Sequence, residues 1–78
     1  MILRDRAQAS AFVRAAEQCR GEVFFEDTMG DRLNLKSALS QFVLTIILYK
    51  VEDLDYTIRF EEEDRALLLP YLKEKRDP

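Results

Sequence analysis

Three features of the sequence predict an α+β domain, a small antiparallel sheet carrying its helices on one face. Apolar residues recur at helical spacing in some stretches and alternate with polar ones in others, and the switch between the two periods is abrupt. The stretches follow one another as helix, strand, strand, helix, strand, helix, an order that suggests a small antiparallel sheet with its helices on one face. The 78 residues, 47% hydrophobic and 35% charged, are enough for one folded domain. A domain of this size buries only about 60–65% of the surface of its unfolded chain, so nearly every apolar residue is needed inside.

From Asp5 to Cys19 the spacing Ala9, Phe12, Val13, Ala16 predicts the first helix, with Asp5 as its cap and Gly21 as its C-terminal stop. Glu22 to Asp27 is aromatic and β-branched, a strand by composition, and Thr28 to Asp31 supply the turn of a hairpin with Arg32 to Leu35. Leu33 and Leu35 alternate with Asn34 and Lys36 up to Ser37, where the period changes. Ser37 is therefore the expected N-cap of a second helix, its hydroxyl accepting from a backbone N–H that lacks a helical partner. Leu39, Phe42, Val43, Ile46 and Ile47 make one stripe along that helix to about Lys50 or Val51, and this stripe is the expected core face. Leu44 and Leu48, with Tyr49, lie off the stripe and are expected to form a second, less buried patch. The run Thr45-Ile46-Ile47 raises a strand as the alternative, and periodicity decides for helix.

Leu54, Tyr56, Ile58 and Phe60 alternate with Asp55, Thr57, Arg59 and Glu61 in the clearest strand of the chain. The acids Glu61 to Asp64 then complement the positive end of a third helix, which carries Ala66, Leu68, Leu69 and Leu72 and is expected to kink or restart at Pro70. Lys73 to Arg76 fall in what should be its last turn.

Charge and chemistry narrow the function. Net charge is −3, 15 acids against 12 bases, and the bases are scattered, so nucleic-acid binding is not expected. The absence of histidine removes serine-hydrolase triads, histidine metal sites and phosphohistidine chemistry, and Cys19 alone makes neither a disulfide nor a metal cage. It is expected to pack in the core. No metal, no cofactor and no enzymatic activity are expected, since no nucleophile stands with a base. The first residues are charged too early for a signal peptide and no apolar run reaches membrane length, so no membrane association and a cytoplasmic protein are the default.

Gly30 to Leu44 resembles the regulatory-serine region of the histidine-containing phosphocarrier protein (HPr) family of the bacterial sugar phosphotransferase system, and Asn34-Leu35-Lys36-Ser37 matches that family's motif residue for residue. Ala9 to Ala16 is similar to the family's first helix, Glu22 to Glu26 to its second strand, and Asp55-Tyr56-Thr57-Ile58 to its fourth. The resemblance implies an HPr-like open-faced sandwich over residues 1–78, a small antiparallel sheet with three helices on one face. Its first strand would be truncated or missing, because only four residues precede Asp5, and a few extra residues between Leu44 and Asp55 would lengthen the second helix.

The family's phosphohistidine position falls on Asp5 and its arginine on Ala7, which implies a degenerate member that transfers no phosphohistidine. Asp5 then reads as a helix cap, with Arg4 and Arg6 as a weak anion-binding option. The same resemblance implies Ser37 as a phosphorylation site beside Lys36, with Ala38, Leu39 and Phe42 at the family's apolar docking positions, although Ala38 is smaller than usual there. Two functions follow as expectations. One is an HPr-like binding or regulatory module related to the phosphoenolpyruvate-dependent system, with protein partners such as an HPr-type kinase or regulator. The other is a small self-associating domain with no role in that system, a homodimer through a bare edge at Tyr56 to Phe60 or through Leu44, Leu48 and Tyr49.

Overall fold

Helices and strands begin and end where local chemistry changes, and the computed structural model describes them over residues 1–75. In chain order they are β1 (Ile2–Leu3), α1 (Ala9–Gln18), β2 (Val23–Asp27), β3 (Arg32–Asn34), α2 (Ala38–Lys50), β4 (Tyr56–Phe60), α3 (Arg65–Leu68) and β5 (Leu72–Lys73). Single 3-10 turns at Arg6–Gln8, Glu62–Asp64 and Leu69–Tyr71 lead into or out of the helices. The α+β class and the antiparallel pairing are as the sequence predicts.

Strands β3, β2 and β4 form one antiparallel sheet in that order, with Phe25 opposite Leu33 on one side and Ile58 on the other. The β2–β3 turn is built by Asp27, whose Oδ1 accepts from the Met29 and Asp31 N–H groups at 2.9 Å each. Gly30 completes the turn at φ +90°, where a side chain would be strained. Val23 and Phe25 point inward, while Phe24 and Glu26 point to the other face. There the Arg32 guanidinium lies 3.7 Å over the Phe24 ring, and both Arg32 and Arg59 pair with Glu26.

The far side of β4 is not bare. The Ile58 N–H donates to the Met1 carbonyl at 2.7 Å and the Leu3 N–H donates to the Tyr56 hydroxyl at 3.0 Å, so Met1 to Leu3 lies along β4. β1 in turn pairs antiparallel with β5, Leu3 opposite Leu72. This corrects the expectation of a bare edge at Tyr56 to Phe60: the Met1 carbonyl takes the Ile58 N–H in the middle of β4, and the Leu3 amide is held by the Tyr56 side chain.

Pro70 ends the regular helix. α3 stops at Leu68, the chain restarts as the 3-10 turn Leu69–Tyr71, and Lys73 belongs to β5 rather than to a last helical turn; Arg76 lies outside the described residues. Gly21 is also used differently from expectation. α1 ends at Cys19 in extended backbone (φ −67°, ψ 147°), so no left-handed glycine stops it. A Cβ at Gly21 would instead stand 2.3 Å from Glu61 Cγ and 2.9 Å from Glu61 Cβ.

The buried apolar side chains form one cluster. Phe12 and Ala16 of α1, Leu44 of α2 and Leu68 of α3 meet Val23, Phe25 and Ile58 of the sheet, with Leu3 and Leu72 closing one side. Phe25 and Tyr56 stack at 4.9 Å between centroids.

Candidate functional site

The segment from Asn34 to Tyr49 holds most of the residues singled out by sequence. Ser37 occupies the N-cap position of α2 (φ −93°, ψ 128°), with its N–H donating to the Asn34 carbonyl and its own carbonyl accepting from the Gln41 N–H, both at 3.0 Å. Its hydroxyl makes no capping bond, so the position is as expected and the hydroxyl's role is not. Lys36 is held at both ends: its N–H donates to Asn34 Oδ1 at 3.0 Å and its ammonium donates to the Cys19 carbonyl at the end of α1. It thus ties α2's entry to α1, while Ala38, Leu39 and Phe42 stand apart in solvent.

Two polar ties set how α2 is rotated. Gln41 Nε2 donates to the Leu35 carbonyl at 2.8 Å near its start. At its end Arg6 donates to the carbonyls of Leu48 (3.3 Å), Val51 and Glu52 (2.8 Å), a guanidinium placed where the helix dipole is negative. The helix therefore buries Leu44 and Leu48, leaving Val43 and Ile47 half-buried. This reverses the expected faces. Leu39, Phe42, Ile46 and Tyr49 are exposed by 72%, 63%, 41% and 88%, whereas Leu44 and Leu48 belong to the core and not to a surface patch. At successive steps of three, four and three residues, the four exposed side chains form one ridge opposite the buried leucines. A shallow groove of about 340 Å³ beside Phe42 separates the ridge from Ser10 and Arg14 of α1.

Asp5 is a cap, on the 3-10 turn ahead of α1: its Oδ1 accepts from the Ala7 N–H at 2.9 Å. The two arginines around it are not free for an anion. Arg6 is committed to the end of α2, and Arg4 Nη2 donates to the Leu72 carbonyl at 3.2 Å. Cys19 is buried, and burial first, then the charge of Asp64, push its thiol above the ordinary value. Among the described residues no three metal-ligating side chains converge, and no helix is long and apolar enough to cross a membrane.

Sequence reasoning missed Asp64, Gln41 and the capping role of Arg6. Asp64 had a signal, since it stands four residues before the buried Leu68 and so shares its face. Its oxygens accept from the N–H groups of Arg20 (2.9 Å) and Gly21 (2.8 Å), anchoring the α1–β2 connection.

No family model, curated protein or solved structure matches this chain. What defines the site is its geometry, an apolar ridge that begins at Leu39, two residues after a serine hydroxyl making no capping bond.

Proposed function

We propose that this chain is an HPr-like binding and regulatory module, related to the phosphoenolpyruvate-dependent sugar phosphotransferase system, that docks protein partners and transfers no phosphohistidine. The observation that carries the reading is the exposure of Leu39 and Phe42 beside Ser37. Large apolar side chains standing in water next to one another mark a contact surface more often than a stable solvent face. A phosphate on Ser37 would meet the unpartnered N–H groups of α2's first turn and the positive end of its dipole, so modification there would change the charge of the docking surface without unfolding it. Asp5, engaged in capping, takes no phosphoryl group in this reading. Such a module acts in the cytoplasm, where HPr-type kinases or regulators would be its partners.

Two incubations test this. With the system's general phosphotransferase and phosphoenolpyruvate, no acid-labile or acyl phosphate is expected on the chain; label at Asp5 would make it a carrier and overturn the reading. With an HPr-type kinase and ATP, mass spectrometry is expected to place one phosphate on Ser37 and none on the Ser37→Ala variant. Absence of label on the unaltered chain would leave Ser37 with no regulatory role.

A further inference from the structure

We infer that the outer ridge of α2 is a self-pairing seam, which joins two copies of this chain as an antiparallel helix pair about a two-fold axis. The inference rests on reading this face as a docking surface and names what docks there. Leu39, Phe42, Ile46 and Tyr49 repeat at three, four and three residues, the spacing of a and d positions in a coiled-coil heptad. Leu44 and Leu48, used by the chain's own core, occupy the opposite side of that heptad, so one helix serves two apolar contacts at once.

Charge selects a second copy over other occupants. The positions flanking the seam are Ala38, Val43 and Thr45, with Lys50 the single charged residue of the helix. Heptad seams that choose a different partner do so with charges at these flanks; here the one flanking charge, Lys50, comes level with Ala38 of the other copy in an antiparallel pair, so it meets no like charge there. A membrane surface would ask for several lysines and arginines around the apolar face, of which α2 carries only Lys50, on a chain of net charge −3. The area suffices for a modest dimer: covering four large, mostly exposed side chains removes roughly 500 Å² per copy, or about 1,000 Å² in total, near the lower bound of specific interfaces. Antiparallel packing sets Leu39 against Tyr49 and Phe42 against Ile46, one ring and one aliphatic chain at each level, and opposes the helix dipoles. Parallel packing would put ring on ring and align the dipoles.

Light scattering and equilibrium sedimentation of the full chain, from micromolar to about millimolar concentration, are expected to show the mass rising from 9.2 kDa to twice that value. Ile46→Glu and Phe42→Glu should hold the single-chain mass throughout, association falling at least about a hundredfold because the seam would bury an unpaired carboxylate. Their far-UV dichroism and unfolding midpoint at micromolar concentration should match the unaltered chain. Leu39→Lys and Tyr49→Glu should each weaken pairing, and the double variant should restore it, since antiparallel copies bring the lysine of one to the glutamate of the other; failure to restore overturns the antiparallel arrangement. An unaltered chain that stays monomeric overturns the inference, as does one that cosediments with phosphatidylserine–phosphatidylcholine vesicles instead of pairing. A monomer still phosphorylated on Ser37 leaves the regulatory reading intact and removes only the self-pairing; a dimer that takes no phosphate does the reverse.

Discussion

Asp64 is exposed by only 2%, and its two oxygens each hold one backbone N–H of the α1–β2 connection. Truncating it to alanine would leave the Arg20 and Gly21 amides without acceptors in a part-buried place, so Asp64→Ala is expected to cost about 2–5 kcal/mol in urea denaturation. Asp64→Asn keeps one acceptor oxygen and should cost clearly less; equal losses would argue against the hydrogen bonds as the cause. Gly21→Ala tests the other half of the same junction. Its Cβ would meet both Cγ and Cβ of Glu61, and since Cβ cannot swing away the backbone must shift, at about 1–3 kcal/mol. Roles of this kind are legible in sequence only when the partner is near. Asp5 reaches Ala7 and Asp27 reaches Met29 and Asp31, and the cap and the turn were both readable. Asp64 reaches back more than forty residues, and among four consecutive acids nothing but its helical phase with Leu68 sets it apart.

The rotation of α2 is decided by tertiary ties rather than by its own pattern. Only Ser40, Gln41, Thr45 and Lys50 are polar in the helix, so it offers an apolar stripe in nearly any direction. Gln41 and Arg6, by bonding the Leu35 carbonyl and the carbonyls at the helix's end, select the direction that buries Leu44 and Leu48. The expected consequence is asymmetric. Leu44→Ala should cost about 2–5 kcal/mol, the range for a fully buried leucine, whereas Phe42→Ala should change the folding stability of the isolated chain by less than about 1 kcal/mol. The opposite order, measured at low concentration, would mean that the helix is turned the other way. The bounds of α2 were legible because Ser37 and Val51 frame an unbroken helical period; α1 was legible from its helical spacing, the hairpin from its aromatic and β-branched strand and its turn residues, and β4 from clean alternation. The end of α3 was not, since leucines on both sides of Pro70 continue the pattern after the hydrogen bonding has stopped.

At the scale of the whole molecule, the ends of the chain close the fold. Met1 to Leu3 sits between β4 and β5, and the Cα radius of gyration is 11.5 Å, about what a compact chain of this length should have. That closure is half legible in the sequence: the resemblance implies a first strand that is truncated or missing, and it is the truncated one, Ile2–Leu3, that forms, whereas β5 lies hidden in an expected helix. The junction also predicts how the molecule responds to alkali. Tyr56 stacks on Phe25 and accepts the Leu3 N–H, and burial is the main cause that raises its phenol above the ordinary value of 10.0, outweighing the lowering by that hydrogen bond. Burial likewise raises the Cys19 thiol above its ordinary 9.0. For both groups the folded chain holds its proton at a pH where the unfolded chain has released it, so stability is complete below the unfolded values and falls as pH climbs through and beyond them. The urea midpoint is therefore expected to be level up to about pH 8.5 and to decline from about pH 9 upward, first through Cys19 and then through Tyr56. Tyr56→Phe should flatten the part of the decline above about pH 10. At neutral pH it should cost about 1–3 kcal/mol, because the buried Leu3 N–H loses its acceptor and the hold of β1 on β4 is weakened. A midpoint that stayed level to about pH 11, or rose, would show that neither group keeps its proton in the folded chain.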